Sequence, residues 1–221
     1  MLKNLRFDAQ KDLKLIGLIC YTPHVLVVRS SLSVQSLPDL IKLSKAQPDT
    51  LRYGSSGIGS ANHMAGELLK LVAKVNIAHV PYKGNAPALT DLIGGHVEIL
   101  ISGVPAVIGQ IKNGRVRAIA IASLKRFPAL PDTPTIDESG LKGFEATTWF
   151  GVMAPRGTPR EVVRVVNEKL QSHIDDPKTR AKYVEIGAEP IGGSPESFAE
   201  RVKADYKLWG QVVRESGIKL E

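Results

Sequence analysis

Cysteine is almost absent from this chain. The single Cys20 excludes an internal disulfide framework and any zinc site built from several cysteines. Aromatic residues make up only 5% of the sequence, too few for a binder of single-stranded nucleic acid that works by base stacking. No run approaches the roughly 18–20 continuous apolar residues that a membrane-crossing helix needs. Residues 1–12, MLKNLRFDAQKD, are polar and charged. A secretory leader would show a basic start, an apolar stretch of about 7–15 residues and a small-residue cleavage site. No export address is legible in this sequence as written, which on its own points to a cytoplasmic product.

What is present is ordinary globular material. Of 221 residues, 43% are hydrophobic and 23% charged, so one or two folded domains are expected. The formal charge of +7 suits an anionic partner, whether nucleic acid, an acidic surface or a small anion. The basic residues, such as Lys42, Lys45, Lys70, Lys74, Arg160 and Arg164, are spread over predicted helices. That pattern marks solvated faces and argues against nucleic acid.

Residues 13–20 and 25–28 read as two short strands, with Tyr21, Thr22 and Pro23 as a break between them. Ser36 reads as the N-cap of a helix to about 47, with Asp39 at its third position. An alternation follows: strand 51–53, Gly/Ser loop 54–60, helix 61–73, strand 77–80, helix from Asn85 to Gly94-Gly95, strand 97–101, helix from Pro105 to about 113, strand 116–122. Such alternation implies a mainly parallel sheet covered on both faces. Residues 24–143 read as one compact α/β domain, with 1–23 before it and a strand-like run and helices in 144–221 after it. The proline-rich segment 126–135 reads as a surface connection. Thr158 with Pro159 and Glu161, Asp176 with Pro177, and Ser194 with Pro195 announce helices at 159–174, 177–186 and 195–216. Their apolar faces, Val162, Val165, Val166 and Leu170, then Phe198, Val202, Tyr206, Trp209 and Val213, require a covering partner.

Three strand ends carry chemistry. YGSSGIGSANHMAGE (53–67) leads from a strand through a Gly/Ser loop into a helix. Glycines allow close backbone approach, and the helix start offers N–H groups and positive potential to an anion. Ser55, Ser56 and Ser60 add hydroxyls. A tight turn alone would need less glycine and serine than this. The loop is neither a P-loop nor a dinucleotide fingerprint, nor does it have the Gly-x-Ser-x-Gly spacing of a nucleophile elbow. VPYKG (80–84) adds Tyr82, Lys83 and Gly84 at a second strand end, and Ser102 marks a third. Ligands bind beside such carboxyl ends in open α/β sheets. The histidines are scattered. His63 and Glu67 lie one helical turn apart, but no third metal ligand is indicated.

These stretches, with HVPYKGNAPALTDLIGGHVEILISGVPAVIGQIKNGRVRAIAIAS, RFPALPDTPTIDESGLKGFEATTWFGVMAP and the closing RESGI, resemble the solute-binding receptors of tripartite tricarboxylate transporters, the Bug-type receptors. The resemblance covers essentially the whole chain in order. It implies a type II periplasmic-binding fold with one complete lobe plus the C-terminal helices of an incomplete first lobe. It also implies a non-enzymatic receptor for a small carboxylate, with no cofactor or metal, a periplasmic location and membrane transporter subunits as partners. The implied ligand contacts are Ser55, Ser56, Gly57, Gly59, Ser60, Ala61, Tyr82, Lys83, Gly84 and Ser102, with Thr148 and Trp149 near the hinge. The resemblance starts where the family's first lobe is about to cross over. The chain therefore reads as N-terminally truncated, with weakened binding and self-association through exposed helix faces expected. Two other classes fit less well: the effector-sensing domain of a regulator, and an acyl-transfer enzyme using Ser55 or Ser56.

Overall fold

A computed structural model describes residues 7–218. The chain divides into two compact units. One is Thr22–Thr148, and the other combines the segment up to Tyr21 with the chain from Trp149 onward.

The unit Thr22–Thr148 holds a sheet in the order β3-β2-β4-β1-β5. Its strands are β1 (Leu13–Arg29), β2 (Arg52–Ser55), β3 (Ala78–Pro81), β4 (Ile99–Gly103) and β5 (Val116–Ile121). The helices between them are α1 (Leu37–Ala46), α2 (Ala61–Ala73), α3 (Asn85–Gly94) and α4 (Val104–Lys112). β2 runs parallel to β3 and β4, while β1 is antiparallel to both β4 and β5. Four strands therefore share one direction, and β1 lies between two of them in the opposite sense. β1 is also a single strand where the sequence predicted two. Pro23, which lacks a ladder donor, falls between the stretch paired with β7, which ends at Tyr21, and the stretch paired with β4, which begins at His24.

The caps explain why the helices begin where they do. Ser36 accepts from Asp39 N, and Ser60 accepts from His63 N. Val25, Val27, Leu92, Leu100, Val104 and Ile121 build the core between sheet and helices. The 126–135 segment is more than a surface connection. Phe127 is 2% exposed within that core, and Thr135 bridges to Ile121.

In the other unit, the first stretch of β1 pairs with β7 (Glu189–Pro190), and β6 (Thr147–Pro155) also pairs with β1. Helices α5 (Arg160–Asp175), α6 (Pro177–Glu185) and α7 (Pro195–Ser216) complete it. Asp176 and Ser194 cap α6 and α7 as expected. α5 departs from expectation. Its N-cap is Pro159 with no side-chain bond, and Glu161 pairs with Arg164 instead of closing a capping box with Thr158. The buried face is also rotated. Val163 is buried, while Val162, Val165 and Val166 are 47%, 41% and 37% exposed. Phe198, expected to be partly exposed, is fully buried, with Trp149 edge-on at 5.0 Å; Tyr206 is 64% exposed.

Two glycines in helices should respond oppositely to one substitution. A Cβ on Gly66 in α2 would come within 2.3 Å of the buried Tyr53 ring, whereas Gly109 in α4 has open space. Alanine gains about 1 kcal/mol of helix propensity over glycine, but overpacking a tight site costs about 1–3 kcal/mol. Urea unfolding should therefore show Gly109→Ala stabilising by about 0.5–1 kcal/mol and Gly66→Ala destabilising. Equal shifts would contradict this packing.

Candidate anion-binding site

The carboxyl ends of the parallel strands β2, β3 and β4 share one sheet edge, and each strand feeds the N-terminus of a helix there. The first N–H groups of any helix lack partners within it and carry partial positive charge. At α2 the Ser60 hydroxyl takes up one of them. At α3 and α4 the N-caps are Gly84 and Gly103, and neither makes a side-chain cap bond. Asn62 ties the edge together: its Nδ2 donates to Ile101 O at 2.9 Å and to Asn85 Oδ1 at 2.8 Å. Ser102 lies fully buried at the end of β4, its hydroxyl without a hydrogen-bond partner among the described residues.

The Gly/Ser loop is more self-engaged than its sequence implies. Ser55 is fully buried. Its Oγ accepts from Gly57 N at 3.1 Å and lies 2.7 Å from His79 Nε2. The Ser60 hydroxyl donates to Gly57 O at 2.7 Å as well as capping α2. Gly59 N donates to His63 Nδ1 at 3.0 Å. So the hydroxyls of Ser55 and Ser60, and the amides of Gly57 and Gly59, shape the loop. Half-buried Ser56 makes no side-chain hydrogen bond among the described residues, and Ala61 opens α2. Gly57 has φ +130, and a Cβ there would sit 3.3 Å from Tyr82 O.

Tyr82 joins the loop through its backbone, donating N–H to Ser55 O at 3.1 Å, and its ring lies 3.3 Å from where a Cβ on Gly54 would be. Its hydroxyl donates to Asp91 at 2.8 Å. Burial, followed by that bond, pushes the phenol up to about 12. Lys83 is exposed, and Gly84 holds φ +113 with open space around it. Thr148 Oγ1 lies 3.1 Å from His24 Nε2. Trp149 belongs to the other unit, where its indole N–H donates to Asp205 at 2.7 Å. The structure thus brings together Ser55, Ser56, Gly57, Gly59, Ser60, Ala61 and Tyr82, followed by Lys83 and Gly84 in the chain. Asn62 links Ser102's strand to them.

Behind the loop stands a layer that sequence reasoning missed. The rings of His63 and His79 stack at 3.8 Å and 12°. Tyr53 OH donates to Glu67 at 2.7 Å, and Lys70 Nζ lies 2.9 Å from the same oxygen. His63 and Glu67 are engaged by protein partners. Glu67 already has two partners, and no group of three or more His, Cys, Asp or Glu that could hold a metal ion occurs among the described residues. Burial drives His79 down to about 4 and also lowers His63.

The comparisons with known proteins bear on the family and the fold. The model of the "Tripartite tricarboxylate transporter family receptor" matches residues 1–218. The chain belongs to that family. A curated relative from Pseudomonas sp. (strain P51), a "UPF0065 protein in tcbD-tcbE intergenic region", is 37% identical over 95% of this chain. The chain spans 62% of that relative's length. Among solved structures, "R. palustris Rpa4515 with adipate" superposes with a TM-score of 0.90 at 38% identity, covering 99% of this chain and 73% of that one. "Structure of periplasmic binding protein BugD" gives 0.85 at 34% identity, covering 100% and 75%. The fold is therefore that of this family's periplasmic binding proteins.

For this receptor-family chain the buried His24 sets an acid limit. Desolvation depresses it from 6.5 to about 4. A depressed folded-state pKa contributes stability present above the unfolded value and lost as pH falls through the folded one. Between about 6.5 and 4 this group alone removes on the order of 3 kcal/mol. Urea unfolding across that window should show falling stability, with a shallower slope in His24→Gln, which does not titrate. Identical slopes would contradict the assignment.

Proposed function

We propose that this chain contributes the anion-gripping lobe of a periplasmic solute-binding receptor. It takes a small dicarboxylate of the adipate class and delivers it to the membrane subunits of a tripartite transporter. The observation that carries this reading is the convergence of three helix N-termini on one sheet edge, two of them without side-chain caps. A carboxylate removed from water must find donors for its oxygens. Helix-start amides supply them with no competing charge. The Ser56 hydroxyl, the N–H groups of Ala61 and Asn62, and the starts of α3 and α4 are the donors assigned to the ligand, with Lys83 at the rim.

The Ser55–His79 contact of 2.7 Å looks superficially like a nucleophile beside its base. Ser55 is fully buried, however, and His79 stacks on a second imidazole instead of being oriented by a carboxylate. These features fit a structural role for the pair.

Isothermal titration with adipate tests the site. Losing one hydrogen bond to a charged ligand costs about 1.5–3 kcal/mol, so Ser56→Ala should weaken affinity about tenfold or more. Gly57→Val should abolish binding, because a side chain there meets both the unfavourable φ and the Tyr82 carbonyl. Unchanged affinity in both variants would refute the site.

A further inference from the structure

The glycines that let the loop approach an anion also leave it conformationally loose. Gly57 and Gly59 both adopt positive φ, a region that glycine samples freely. Something must hold this segment in one shape. The Gly59 amide ends on His63 Nδ1, and the Gly57 amide ends on Ser55 Oγ, itself bonded to His79 Nε2. Both tethers lead to the stacked imidazole pair.

We propose that His63 is the positioning residue of the anion loop: its unprotonated Nδ1 holds the Gly59 amide in the binding shape, and acid releases the loop together with its carboxylate. This rests on the carboxylate reading above and extends it to the control of the same site. An Nδ1 that accepts an N–H places the ring proton on Nε2, which lies 3.9 Å from Glu67 Oε1. A second proton at Nδ1 would set two donors face to face.

The groups facing His63 are Glu67 and Lys70 on α2, Tyr53 on β2 and His79 on β3. Burial is the largest influence holding His63 neutral. Lys70 acts in the same direction, and Glu67 opposes them. Glu67 is itself shared with Tyr53 and Lys70. Two protonated rings stacked at 3.8 Å would repel strongly in this buried layer. As pH falls, the neutral pair cannot charge without breaking either the stack or the Gly59 tether.

The test compares wild type with His63→Asn and His63→Leu in the full 221-residue chain. Asparagine places an oxygen near the position of Nδ1 and does not titrate, whereas leucine keeps bulk and loses the acceptor. Hydrogen exchange of the Gly59 amide is measured without ligand, corrected for intrinsic exchange, at about pH 7 and about pH 4, the lower value set well below the ordinary histidine value because burial lowers His63. Protection should be present at neutral pH and lost in acid for wild type, present at both for His63→Asn, and absent at both for His63→Leu.

Adipate titrations at the same two pH values follow, with variants compared at equal pH so that the ligand's own protonation cancels. Wild type should lose about tenfold more affinity on acidification than His63→Asn. Matching pH profiles for the two, or a protected Gly59 amide in a folded His63→Leu, would overturn the proposal. If no protein binds adipate while the exchange pattern appears as expected, the tether stands and the carboxylate reading falls.

Discussion

A carboxylate taken out of water must exchange each lost water contact for a donor, and the proposed function rests on that requirement. The donors best suited to it are backbone amides at helix starts, which are fixed in direction and carry no counter-charge of their own. Three of them can serve one ligand only where three parallel strands end together. The β3-β2-β4 arrangement supplies that edge, and Asn62 links α2, α3 and β4 across it. An arginine fork would grip more strongly. A set of neutral dipoles avoids leaving an unpaired buried cation when the ligand departs.

The same edge shows a division of labour. Ser55 and the Gly59 amide turn inward, toward His79 and His63, and the Ser60 hydroxyl closes back on the Gly57 carbonyl within the loop. A loop rich in glycine needs this inner layer because it has few side chains of its own to pack. Tyr53, with its hydroxyl on Glu67 and its ring under Gly66, locks the layer to the sheet. Burial and the Glu67 bond raise its phenol, so it acts only as a donor.

Much of this was legible in the chain. The bounds of α2, α3 and α7 follow from caps and glycines whose geometry is local. What escaped depends on long-range pairing. β1 looked broken at Pro23 because periodicity does not reveal where ladder bonds resume. Phe127 looked like loop because prolines flank a residue that only the folded core can claim. The buried face of α5 shifted from Val162 to Val163, a one-residue error that rotates a helix by a quarter turn. Ser55 and Ser60 looked like ligand donors because hydroxyl direction is not written in sequence. His63 and His79 come together only because β2 and β3 pair in parallel, with Tyr53 opposite His79.

The central claim is that the anion sits where the starts of α2, α3 and α4 converge. The most direct measurement is an amide chemical-shift map of the isotope-labelled chain titrated with adipate. The account predicts that the largest changes cluster at Ser56–Asn62, Gly84–Asn85 and Gly103–Val104. Changes centred instead on the apolar groove of about 400 Å³ lined by Leu13, Leu15, Val202 and Tyr206, with the sheet edge silent, would contradict it.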